Sequence, residues 1–122
     1  MIYVDVKDRK PIWEQLVENI KTLVVCGAMC PDEQLPSVRA LAAELAINPN
    51  TIQKAYAELE RSGVVYSIPG RGSFVTSQPD RVTELHRKQL LRETEEMLKK
   101  AKSHGITKEL ILLTITEIWG ES

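Results

Sequence analysis

The chain has 122 residues, of which 43% are hydrophobic and 27% charged, with a formal net charge of −1. That length fits one domain, or one small domain with an appendage, and the composition excludes a disordered or collagen-like chain. The charge supports neither a nucleic-acid partner nor a membrane surface, and it is even along the chain: residues 1–79 carry eight Lys or Arg against nine Asp or Glu, and residues 80–122 carry eight against eight.

A basic footprint must therefore come from the placement of a few side chains. The opening MIYVDVKD has no cationic segment ahead of an apolar run, so no signal peptide is expected. No apolar run approaches the ~18 residues of a membrane span. The expectation is a cytoplasmic protein with no membrane association.

Residues 2–6, IYVDV, suit a short extended arm. Pro11 fits the first turn of a helix over 11–26, with Ile12, Leu16, Ile20, Leu23 and Val24 making one apolar face and Gly27 a stop. Cys26 and Cys30 are the two cysteines, at a spacing two metal ligands could share. Gly27 between them, Pro31 after them and the lack of a third cysteine favour reduced, half-buried thiols, so no metal is expected. A loop over 27–36 leads to Ser37, which can cap a second helix over 38–46. Val38, Leu41 and Leu45 form its inner face, Arg39 and Ala43 the opposite one.

Ile47 and Asn48 then make a turn. Asn48 can cap a third helix, and Pro49 can take its first position, where the missing N–H costs nothing. Ile52, Ala55, Tyr56 and Leu59 face inward at helical spacing, with the Tyr56 hydroxyl at the rim. Gly63 ends the helix, with Arg61 in its last turn. The period then changes: residues 64–68 and 73–76 read as two strands around the turn Pro69-Gly70-Arg71-Gly72. Three helices followed by a hairpin is the order of a winged helix-turn-helix.

Residues 80–103 form a charged fourth helix, in which Gln89 and Thr94 fill gaps in a loose stripe of Val82, Leu85, Leu90, Met97 and Leu98. Gly105 stops it, and Thr107 can cap a fifth helix running to about Trp119. Apolar residues of that helix, including Leu110, Ile111, Leu112, Leu113, Ile115, Ile118 and Trp119, cover more than one face. A chain this short has little else to cover them, so a partner is expected. The fold class is mainly α with a small β-hairpin: a winged helix-turn-helix over 1–78, then a two-helix dimerisation region over 79–122. The dimerisation residues are expected to be Leu85, Leu90, Met97, Leu110, Ile111, Leu113, Ile115, Ile118 and Trp119.

In a helix-turn-helix the second helix of the pair enters the major groove by its N-terminal residues. Here those are Asn50, Thr51, Gln53 and Lys54. Asn and Gln amides can bond adenine bidentately, and Lys can meet a phosphate or a guanine edge. Free N–H groups of the first turn can take a phosphate oxygen. Arg39 can fork onto a phosphate, and Arg71 at the hairpin tip can reach a minor groove or phosphate. Taken singly, each arginine reads as a solvated charge. His86 and His104 are far apart, His86 reads as solvated, and no nucleophile–base or metal cluster is evident, so an enzyme is not expected.

The stretch LPSVRALAAELAINPNTIQKAYAELERSGVVYSIPGRGSFV, residues 35–75, resembles the DNA-binding domain of the GntR family of bacterial transcription regulators. Pro11-Ile12 with Gln15-Leu16 resembles the family's first helix. The short segment after the wing and the Asn-Pro-Asn-Thr turn resemble the YtrA-like subfamily, whose two C-terminal helices dimerise. The resemblance implies a homodimer on an inverted-repeat DNA operator, usually as a repressor. It implies that Arg39, Thr51, Gln53, Lys54, Arg71 and Gly72 lie at the DNA, with Ser37, Asn48 and Asn50 approaching its backbone. No cofactor is implied, and the sequence names no effector. A winged helix used for protein interaction, without specific DNA binding, is the alternative that the near-neutral charge favours.

Two positions depart from the family's pattern. Pro31-Asp32-Glu33 stands where Pro-Gly-Asp is common, placing acid where it could weaken phosphate contacts. Gln53 stands where Arg is common, which shifts the expected base preference toward adenine and lowers affinity.

Overall fold

The computed structural model describes residues 2–121. The chain divides into two compact units, one up to Glu84 and one from Leu85 onward. In chain order the elements are α1 (Ile12–Val25), α2 (Val38–Leu45), α3 (Pro49–Arg61), β1 (Val65–Ile68), β2 (Gly72–Val75), α4 (Pro79–Ser103) and α5 (Lys108–Trp119). This is the helix, helix, helix, hairpin order expected, with two helices after it.

The first unit is built on one core. Leu16, Ile20, Leu41, Ile52, Leu59, Val64 and Val75 are fully buried, and Ala55 and Tyr56 join them. Every apolar position expected to face inward from the third helix is buried, because the i, i+3, i+4, i+7 spacing puts all four on one side. Val82, early in α4, belongs to the same cluster. The arm before α1 is fastened through side chains: Asn19 Oδ1 accepts from Tyr3 N at 3.2 Å, and Gln15 Oε1 accepts from Asp5 N at 2.8 Å.

β1 and β2 pair antiparallel, with Val65 opposite Val75 and Ile68 opposite Gly72. The segment 32–35, expected as loop, extends this pairing. Asp32 N donates to Val75 O at 2.9 Å, Val75 N to Glu33 O at 2.8 Å, and Leu35 N to Ser73 O at 2.8 Å. Gln34 forms an isolated antiparallel bridge with Phe74. The hairpin is thus backed by a third extended segment from before α2. Sequence separation hid it: nothing in 32–35 alternates, and its partner lies some forty residues on.

The second unit holds the rest of α4, and α5. Gly105 is left-handed, with φ 84°, after α4 ends. Thr107 then caps α5, its hydroxyl accepting from Leu110 N at 3.2 Å. No residue of α5 is buried. Among the described residues no helix is long and apolar enough to cross a membrane.

Two local expectations are corrected. Cys26 and Cys30 are free and exposed, not half-buried, because Cys26 ends α1 and Cys30 lies in the turn that follows. His86, expected to be solvated, is half-buried on α4.

Candidate nucleic-acid interface

Two caps and a tight turn build the helix pair. Ser37 Oγ accepts from Ala40 N at 3.0 Å and starts α2. One of its two lone pairs is taken, and its hydroxyl proton can still be donated. Arg39 follows on the exposed side, and among the described residues it pairs with no carboxylate. Ala46 closes α2 in the left-handed conformation, φ 55°, and Ile47 N returns to Ala42 O at 3.1 Å. A non-glycine residue there is uncommon and strained, because its Cβ crowds the following carbonyl oxygen.

Asn48 Oδ1 accepts from Asn50 N at 2.8 Å, and Pro49 takes the first helical position. Thr51 N and Ile52 N both turn to Asn48 O, at 3.0 and 3.4 Å. This corrects one expectation. The first-turn N–H groups of α3 are not free for a phosphate, because Pro49 lacks one and Asn48 serves the others. Anything recognised at this end is recognised by side chains. Asn50, Gln53 and Lys54 are exposed and Thr51 is half-buried. Among the described residues, the side-chain amides of Asn50 and Gln53 make no hydrogen bond.

Lys54 is held in a way the sequence did not signal. Its ammonium lies 4.4 Å from the ring centroid of Trp13 on α1. Trp13 is one position off the apolar stripe and half-buried, so periodicity gives it no part. A cation over an indole face is attracted by the ring quadrupole, and here that contact steadies the long side chain. Tyr56 anchors α3 from the other side, its hydroxyl donating to Pro36 O at 2.7 Å. Burial pushes its phenol pKa well above the ordinary value.

At the hairpin tip, Arg71 N donates to Ile68 O at 2.9 Å. The Arg71 side chain is exposed and pairs with no carboxylate among the described residues. Gly72 has φ 122°, a conformation side chains rarely adopt, and a Cβ there would lie 3.0 Å from Gln34 Nε2. Gln34 Nε2 itself donates to Arg71 O at 2.7 Å. Gln34 is the second residue that sequence reasoning missed, since only the pairing of 32–35 with β2 brings it to the tip.

The acidic pair ahead of α2 is occupied. Asp32 adopts φ 65°, the left-handed conformation that a glycine takes freely, and its carboxylate accepts from Tyr66 Oη at 2.8 Å. That hydrogen bond raises the Tyr66 pKa. Tyr66 also stacks on Phe74, with centroids 5.6 Å apart. Glu33 Oε1 accepts from Cys30 N at 3.0 Å.

In the second unit, Leu85, Leu90, Met97, Leu110, Leu113, Ile115, Ile118 and Trp119 are exposed and Ile111 is half-buried. Leu98, Ile111, Ile115, Ile118 and Trp119 line an open groove of about 790 Å³ together with Thr94 and Thr114. The sequence left little room for a pocket there, yet residues of both helices line one. The hydroxyls of Thr94, Thr114 and Thr116 bond back to Leu90 O, Leu110 O and Leu112 O, so the groove presents mainly carbon.

The family model for bacterial regulatory proteins, gntR family, matches residues 12–75. The HTH-type transcriptional repressor YtrA of Bacillus subtilis is 45% identical over 76 residues, 62% of this chain and 58% of YtrA. The uncharacterized HTH-type transcriptional regulator YhcF of the same organism is 39% identical over 103 residues, 84% of this chain and 85% of YhcF. Among solved structures, a GntR family transcriptional regulator from Listeria monocytogenes is similar with a TM-score of 0.80 and 37% identity, covering 91% of this chain and 97% of that one.

Proposed function

This chain belongs to the gntR family of bacterial regulatory proteins, and from that membership we propose that it is a cytoplasmic repressor which binds an inverted-repeat operator as a homodimer. That it is a sequence-specific DNA-binding transcriptional regulator, and not an enzyme, follows from the family itself. The observation that carries the finer reading is the leading edge of α3. Its backbone N–H groups are all served internally, while the amides of Asn50 and Gln53 stand exposed. Polar groups at such an edge can read base edges in the major groove. Thr51 adds a hydroxyl and a methyl. Lys54, Arg39 and Arg71 supply phosphate contacts; Ser37, Asn48 and Gly72 bring the backbone close. These three exposed cations, and not a broadly basic surface, are what a near-neutral chain brings to the phosphates.

Dimerisation would use the apolar residues of α4 and α5. The exposure of Ile118 and Trp119, at 70% and 74%, supports this, since faces of that kind are seldom left to water. The test is a gel shift with the upstream region of the chain's own gene. Replacing Arg39 and Arg71 together by Ala should abolish the shifted band. A band unchanged by the two replacements would overturn this docking, and the absence of any shift with the natural chain would favour the protein-interaction alternative.

A further inference from the structure

We propose that Gln34 is a positioning residue for the wing: its amide fixes the backbone of Arg71 and thereby sets where the Arg71 guanidinium can reach. The inference rests on the reading of Arg71 as a DNA contact, and it goes beyond that reading by naming what aims it.

Three observations meet at this side chain. Gln34 Nε2 donates to Arg71 O at 2.7 Å, across 37 positions of sequence. The same nitrogen lies 3.0 Å from where a Cβ would stand on Gly72, so the amide fills the space that only glycine leaves open. The Gln34 backbone is itself bridged to Phe74, with Leu35 N bonded to Ser73 O at 2.8 Å. The anchor is therefore mounted on a paired segment, while the tip it holds contains two glycines with positive φ, Gly70 at 77° and Gly72 at 122°. Such a tip has many conformations open to it. A donor held from outside removes most of them before DNA arrives, which lowers the ordering cost of binding.

Five proteins test this: the natural chain, Gln34→Met, Gln34→Lys, Arg71→Ala and Gln34→Met with Arg71→Ala. Operator affinity is measured by fluorescence anisotropy on a site selected from random duplex. Gln34→Met, close in shape but without a donor, should weaken binding roughly three- to tenfold. Gln34→Lys keeps a donor but adds a charge that favours DNA by itself, so its rescue is read in the hydrogen exchange of residues 70–72, which should return toward that of the natural chain. In the Arg71→Ala background, Gln34→Met should cost nothing further. An equal loss with and without Arg71 would overturn the proposal, since it would mark a general effect on folding. Amide hydrogen exchange of residues 70–72 in the free protein reads the anchoring without DNA. It should quicken in Gln34→Met, and unchanged exchange would overturn the proposal too. Full affinity in Arg71→Ala alone would instead remove the wing from the DNA, failing the reading on which Gln34's part in binding depends.

Discussion

Replacing Tyr56 by Phe removes one oxygen and leaves the rest of the core in place. Tyr56 is 7% exposed, and its hydroxyl donates to Pro36 O at 2.7 Å, tying α3 to the residue before the Ser37 cap of α2. A hydrogen bond of this kind contributes about 0.5–1.5 kcal/mol net, and the Pro36 carbonyl is left without its partner. In a unit of this size, about 1 kcal/mol moves the midpoint by roughly 4–8 °C. Thermal unfolding followed by circular dichroism should show that drop at neutral pH. The pH dependence adds a sign. Burial raises the folded-state pKa of Tyr56 above its unfolded value. Its contribution is therefore complete below the unfolded pKa of about 10 and is lost as pH rises beyond it, where the unfolded chain ionises first. The gap between the natural chain and Tyr56→Phe should narrow as the pH is taken above about 10. Equal midpoints at neutral pH, or a gap that stays constant into alkaline solution, would refute the role given to this hydroxyl.

Other substitutions probe the surface. Gln53→Arg should move the preferred base at its position from adenine toward guanine and raise affinity, read by repeating the sequence selection. Lys54→Met should reduce the slope of log affinity against log salt by about 1, the loss of one phosphate contact. Trp13→Leu should weaken operator binding roughly two- to fivefold at fixed salt, and should have no such effect once Lys54 is Met. Ile115→Asp, which puts a charge in the apolar groove of the second unit, should turn a dimer into a monomer by light scattering at micromolar concentration. A natural chain that is already monomeric there would contradict the dimer.

Local chemistry was legible in the sequence. Ser37, Asn48 and Thr107 cap the helices they were expected to cap, because the cap bond closes within three residues. The inward face of α3 was legible because its four apolar residues keep helical spacing without interruption. What could not be read was distant pairing. Gln34 meets Arg71, and Lys54 meets Trp13, only once α1, the 32–35 segment and the hairpin are packed. No period or motif connects them beforehand. The acidic pair shows the same limit: Asp32 looks like a repulsive charge in the sequence, and its engagement by Tyr66 depends on the fold. The first-turn amides of α3 failed for the opposite reason. Their partners were local, but the sequence does not say that one Asn would serve three positions through both its side chain and its carbonyl.

The central claim is that this chain reads a DNA sequence through the leading edge of α3. Selection of bound sequences from a random duplex pool with purified protein tests it most directly. An inverted repeat should be enriched, with half-sites about one helical turn apart, roughly 34 Å, or a multiple of it, and with adenine prominent opposite Gln53. A pool that stays random after repeated rounds would contradict it.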